Sequence, residues 1–207
     1  MLMRERGRSG VNNKEAGGLP ERVILASGSP RRRELLGEMG VAFEIDVPDV
    51  DENVGGTPDK MVAVLAERKA RAVAGRRECG LVVAADTLVA LNNRALGKPH
   101  DEEDARQMLR ALSGRTHDVF TGVCVMNAAN GECLVTAERT GVKFRALSEE
   151  EICAYVATGE PMDKAGAYAI QGGAGAFIEG YEGSRTNVIG LPVEKLTEML
   201  IEMNSRV

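Results

Sequence analysis

Residues 22–33 read Arg22-Val23-Ile24-Leu25-Ala26-Ser27-Gly28-Ser29-Pro30-Arg31-Arg32-Arg33, and this order decides the fold class. The apolar run Arg22 to Ala26 suits a buried strand. Ser27-Gly28-Ser29-Pro30 is a turn cluster. Pro30 fits the first turn of a helix, where its missing N–H costs nothing. Ser29 is then the natural N-cap. The helix runs from about Pro30 to Met39, with Leu35, Leu36 and Met39 facing inward and Gly40 as its stop.

Working outward, strands and helices alternate. Val41 to Val47 alternates in polarity and reads as a second strand. An acidic loop, Asp49 to Asn53, follows, and Thr57-Pro58 caps a long helix through about Ala74. Its stripe is Met61, Val62, Leu65, Ala66 and Val73. Leu81 to Ala85 is a continuous apolar strand ending in Asp86-Thr87. Val89–Leu91 and Arg94–Leu96 flank Asn92-Asn93, a tight hairpin turn. Asp101 to Leu112 is an amphipathic helix, and His117–Met126 with Glu132–Phe144 forms the clearest long hairpin. Ser148 and Glu151 open a helix with a capping box. A glycine-rich region, Gly159 to Gly190, precedes a last helix from Pro192 to Met203. The order predicts an α/β fold with a mixed sheet flanked by helices. Residues 21–207 form its single domain. Residues 1–20, rich in Gly, Asn and charge, are expected to be a mobile extension.

Composition narrows the function. The chain has 207 residues, 43% of them hydrophobic, enough for one sizeable core. Four Phe, three Tyr and no Trp leave too few aromatics for a platform that stacks single-stranded nucleic acid. A net charge of -5 opposes non-specific DNA binding. Cys79, Cys124, Cys133 and Cys153 form no C-x-x-C pair and read as small hydrophobes or inert thiols in a reducing compartment. His100 and His117 lack a metal-type partner at helical spacing, which argues against zinc. No apolar run reaches about 18 residues, and the first 20 residues lack the apolar stretch of a secretory signal. The expectation is a cytoplasmic protein without a membrane or nucleic-acid partner.

Four features carry candidate chemistry. Ser27 to Arg33 joins a strand to a helix N-terminus, where free N–H groups, hydroxyls and arginine forks suit phosphate; a capped helix with solvated arginines fits the same residues. Asp86-Thr87 places a carboxylate at a strand end, where it holds Mg²⁺ or orients a water, or else closes a turn on its own backbone. Gly97-Lys98-Pro99 is a rigid turn aiming an ammonium, or else a solvated lysine; Lys69 edges toward the buried side of its helix, or else its stem snorkels outward. Asp163 to Gly173 is glycine-rich, and Gln171 within it offers both a donor and an acceptor to a base edge. Anion donors, a carboxylate, fixed lysines and an amide reader together are what triphosphate hydrolysis requires, since it rests on positioning and charge neutralisation.

Ala26-Ser27-Gly28-Ser29-Pro30-Arg31-Arg32, Ala85-Asp86-Thr87, Gly97-Lys98-Pro99, Leu112-Ser113-Gly114, Asp163-Lys164-Ala165-Gly166-Ala167-Tyr168 and Gly190-Leu191-Pro192 resemble the Maf family of nucleotide pyrophosphatases, in order and spacing, over about Val23 to Met203. The resemblance implies an elongated two-lobed body with a central cleft, like the inosine triphosphate pyrophosphatases. It implies attack of a metal-activated water at the α-phosphate, with Mg²⁺ or Mn²⁺ as cofactor. Asp86 matches the family's proton acceptor, and Glu52 joins it at the metal. Ser29, Arg31, Arg32, Lys69, Lys98, Asp163 and Lys164 fall on cleft positions. Arg31, Thr87 and Gln171 match specificity positions of the branch acting on dTTP and UTP. A house-cleaning role linked to cell-division arrest and a homodimer are further implications. The competing readings are a pyrophosphatase for ITP, XTP or 7-methyl-GTP, and a non-catalytic nucleotide-binding inhibitor of septum formation. One departure stands out: Arg185 follows Gly183-Ser184 where the family usually has Tyr.

Overall fold

In the computed structural model, which describes residues 18–206, the opening run forms strand β1 (Arg22–Leu25) and passes through Ser27–Ser29 into helix α1 (Pro30–Glu38). Then follow β2 (Ala42–Ile45), α2 (Pro58–Ala74), β3 (Leu81–Leu91), β4 (Arg94–Leu96), α3 (Glu102–Leu112), β5 (Thr116–Asn127), β6 (Cys133–Phe144), α4 (Glu149–Val156), β7 (Ile178–Glu182), α5 (Arg185–Ile189) and α6 (Val193–Asn204). The strands make one seven-stranded mixed sheet in the order β2-β1-β3-β5-β6-β7, with β4 paired to β3. β2, β1 and β3 are parallel; the remaining pairs are antiparallel. Residues 1–17 of the expected extension lie outside the described residues. Leu19 packs against the core, and the Gly18 carbonyl accepts from Asn204 Nδ2 at 3.0 Å.

The unbroken apolar run of β3 is explained by burial on both faces. Val82 and Ala84 face α2, beside Ala66, Ala70 and Val73. Leu81, Val83 and Ala85 face the other way, with Leu36, Leu196 and Leu200 of α1 and α6. A second core, around Leu109, Phe144, Ile152 and Phe177, gathers α3 and α4 on the far part of the sheet. α2 lies very close to the sheet because β5 carries a glycine beneath it. A Cβ on Gly122 would meet the Val62 carbonyl oxygen at 2.1 Å.

The structure corrects three expectations. β3 does not end at Asp86-Thr87 but continues to Leu91, so Val89–Leu91 is no separate strand. β5 pairs with it without interruption from Leu81 to Ala90, and that ladder carries the backbone through both polar residues. The glycine-rich region holds three short 3₁₀ turns, β7 and α5. Ser29 and Thr57 occupy N-cap positions, yet neither side chain makes a cap bond. The edge strand β2 is shorter than Val41–Val47. The Asn92-Asn93 turn forms as expected, with φ of 50° and 65°, the left-handed pair of a tight hairpin.

His117 lies in the second core, 2% exposed, with Nε2 2.7 Å from the Tyr168 hydroxyl and the Phe144 ring edge-on to it. Its Nδ1 has no partner among the described residues. Burial pushes the imidazole down to about 4, against a small opposing pull from Asp118. The unfolded chain therefore takes up a proton near pH 6.5 that the native state refuses. Stability is fully present above pH 6.5 and falls as pH drops toward 4, by about 3 kcal/mol from this group alone. Thermal melts across that range should show the slope, and His117→Gln should flatten it. An unchanged slope would remove His117 as its source.

Candidate active site

β1 stops at Leu25, and its last contact with β3 is Ala26 N–H to the Val83 carbonyl at 2.8 Å. β4 joins β3 only from Val89. Between these points one edge of β3 has no neighbouring strand, and a cavity of about 870 Å³ opens there. Asp86 and Thr87 sit in this interval. Strand alternation sends their side chains to opposite faces of the sheet, so the cavity reaches round the edge to both.

On the α2 face, Lys69 lies two turns beyond Val62. Its ammonium is 2.6 Å from Asp86 Oδ1 and 2.6 Å from Glu52 Oε1. The Lys69 and Asp86 side chains are only 13% and 15% exposed, whereas Glu52 on its loop is 60% exposed. The hydrogen bond from Lys69 holds the Glu52 carboxyl below the usual range, with Lys98 and Arg32 adding to the effect.

On the other face Arg32 is clamped by neutral acceptors. Its Nε donates to the Gly190 carbonyl at 2.9 Å, Nη1 to Ser27 Oγ at 3.2 Å and Nη2 to Thr87 Oγ1 at 3.1 Å. Burial lowers its pKa, while Asp86 pulls the other way. A guanidinium has five N–H donors, so two remain for a ligand. The N-terminus of α1 adds backbone donors: it has no side-chain cap bond and no acidic residue in its first turn.

The remaining expected residues line the same cavity, with one exception. Ser29, Arg31, Lys98, Asp163 and Lys164 all border it. Arg31 and Lys98 make no ion pair among the described residues. Lys164 is held by Asp163 at 2.5 Å and by the Glu160 carbonyl at 2.9 Å. That bond keeps the Asp163 carboxyl low. Gln171 is exposed and is not among the lining residues, although Ile170 beside it is. Five cations thus face three carboxylates in a chain whose net charge is -5. Sequence reasoning missed two fully buried polar residues behind Thr87, namely Thr121 and Asn187. Thr121 was visible as the one hydroxyl inside a buried β5 run, but its partner 66 residues away was not.

A carboxylate–ammonium pair, a clamped arginine and an uncapped helix start around one cleft define an α/β protein built to hold a polyanion and act on it. The chain belongs to the Maf family: the family model described as Maf-like protein matches residues 22–203. It is 57% identical to the dTTP/UTP pyrophosphatase of Pelotomaculum thermopropionicum, over 86% of this chain and 94% of that one. The dTTP/UTP pyrophosphatase of Desulforamulus reducens is 51% identical over 86% and 94%. That of Bacillus cereus is 47% identical over 88% and 96%.

Proposed function

We propose that this chain hydrolyses dTTP and UTP to the nucleoside monophosphate and pyrophosphate. The observation that carries the reading is Asp86, a nearly buried carboxylate paired to Lys69 inside a cation-rimmed cleft. The names of the relatives support the two substrates.

In this mechanism the triphosphate chain lies against the start of α1. Arg32 meets it with the two donors that the clamp leaves over, and Arg31 and Lys98 neutralise the outer phosphates. Lys69 and Lys164 complete the cation set, with Ser29 and Asp163 at its margins. A water attacks the α-phosphorus and its proton passes to Asp86. The bond from that phosphorus to the bridging oxygen breaks, and pyrophosphate leaves into the arginine and lysine field. Base selection is assigned to the Thr87 side of the cleft.

The donor set also fits a divalent cation. Glu52 and Asp86 already converge on one positive charge, and Mg²⁺ is commonly held by one or two carboxylates together with substrate phosphates. Among the described residues no cluster of three acidic, histidine or cysteine side chains exists that would hold an ion by itself. The pair therefore suits an ion shared with the nucleotide. When bound, such an ion polarises phosphate oxygens and acidifies water.

The test is pyrophosphate release from dTTP, UTP, CTP, ATP, GTP, ITP and 7-methyl-GTP, with and without Mg²⁺ or Mn²⁺. Metal-dependent cleavage led by dTTP and UTP is expected. Cleavage led by ITP or 7-methyl-GTP would overturn the substrate, and no release from folded protein would overturn the activity. Among the described residues no helix is long and apolar enough to cross a membrane, and all four cysteines are unpaired. The proposed unit is a single catalytic domain, residues 21–207, acting on nucleotides in the cytoplasm. The homodimer that the family resemblance implies is tested by sedimentation.

A further inference from the structure

The hydroxyl of Thr87 is tied into a chain of hydrogen bonds whose direction is fixed from its far end. Thr87 Oγ1 accepts from Arg32 Nη2 at 3.1 Å and lies 3.0 Å from Thr121 Oγ1. Thr121 Oγ1 is in turn 3.0 Å from the Asn187 carbonyl oxygen, which only accepts. A hydroxyl has one proton. Thr121 directs its proton to Asn187, so between the two threonines Thr121 is the acceptor and Thr87 the donor. Asn187 is itself fixed. Its Nδ2 donates to the Val119 carbonyl at 3.1 Å and to Thr140 Oγ1 at 2.8 Å, and Thr140 donates to the Ser184 carbonyl at 3.1 Å. Thr121, Thr140 and Asn187 are 0% exposed, so solvent does not compete for these bonds.

We infer that this buried relay sets the polarity of the Thr87 hydroxyl and through it the choice of base. With its proton turned inward and one lone pair engaged by Arg32, Thr87 offers the cleft a lone pair and no proton. The ligand group set against it is a donor. Resting on the pyrimidine substrates proposed above, the inference is specific. Uracil and thymine carry an imide N–H where cytosine carries a bare ring nitrogen. Opposite Thr87 the imide is satisfied, while the cytosine nitrogen meets another lone pair and stays unpaired. Thr121 and Asn187 do not line the cavity. They are positioning residues that make Thr87 a one-way reader.

Thr121→Val tests this. Valine keeps the branched shape and removes the acceptor. The Asn187 carbonyl keeps its bond from Gly190 N–H at 3.0 Å, so no other buried group is orphaned. Thr87 is then free to turn its proton toward the ligand. kcat/KM for UTP and CTP is measured on the wild type, Thr121→Val and Thr121→Ser, each checked for folding by melting. The preference for UTP over CTP is expected to narrow about tenfold or more in Thr121→Val, mainly through a gain on CTP, and to return in Thr121→Ser. Thr121→Ala serves as a second acceptor-free variant should valine fail to fold. A folded acceptor-free variant with the wild-type preference overturns the relay. So does an equal fall on both substrates, which marks a purely structural role. A wild type that cleaves UTP and CTP alike overturns the dTTP and UTP preference proposed above, before any variant is compared.

Discussion

Asp86→Asn is expected to abolish pyrophosphate release, by about a thousandfold or more, with the fold intact. The two side chains have the same shape, so the apolar neighbours on β3 and α2 lose nothing in packing. Lys69 loses one carboxylate but keeps Glu52 at 2.6 Å, so no ammonium is left buried without a partner. What disappears is the group proposed to take the proton of the attacking water, because an amide does not accept it. The melting temperature is therefore expected to stay within a few degrees while turnover vanishes. Pyrophosphate assays and melting curves on the same preparation make the comparison. A variant keeping more than about a tenth of the wild-type rate, well above what loss of a general base leaves, would take Asp86 out of the chemistry.

Gly122→Ala is expected to damage both stability and activity, and for a reason remote from the substrate. The added methyl would sit 2.1 Å from the Val62 carbonyl oxygen and 2.3 Å from its carbon, both backbone atoms of α2. No rotamer relieves that contact. The helix has to move outward, unsealing the layer of Ala66, Ala70 and Val73 against the sheet. A loss of about 3 kcal/mol is expected, at the upper end for overpacking. Lys69 travels with the helix. A displacement of about an ångström at a catalytic pair costs on the order of a hundredfold in rate. Denaturant titration and assays below the lowered melting point measure the two effects separately. Gly141→Ala on β6 is the control. Its methyl would meet its nearest atoms at 3.8 Å, ordinary contact. A change of no more than about 0.5 kcal/mol is expected there. Equal behaviour of the two variants would refute the close-approach argument.

The contrast between these two positions indicates what was legible in the sequence. The strand–turn–helix start, the long α2 and the β5–β6 hairpin follow from local periodicity and turn chemistry, and all are present. Local rules did not extend β3 past Asp86. Two polar residues ordinarily close a buried strand; here the β5 ladder, unbroken from Leu81 to Ala90, keeps it going. The cleft residues were nameable because their motifs are contiguous, from Ser29 to Arg32 or from Asp163 to Lys164. Their partners were not. Gly190 holds Arg32 from 158 residues away, and Asn187 holds Thr121 from 66. The donor and acceptor groups of Gln171 suggest a base reader, and the structure leaves this residue exposed, next to Ile170 at the cavity wall. Gly122 looked like any strand glycine until α2 was seen lying on it.

The clamp on Arg32 ties competence to completeness. The carbonyl that orients this guanidinium belongs to Gly190, at the junction of α5 and α6, while Arg32 itself stands in the first helix. A chain emerging from the ribosome can set Ser27 and Thr87 against Arg32 and still lack the Gly190 acceptor for its Nε. Only when α5 and the following turn dock does the guanidinium gain its third acceptor, and contacts of such sequence separation form late. The last segment of the chain to be made thus supplies the bond that completes the clamp on a residue of the first helix.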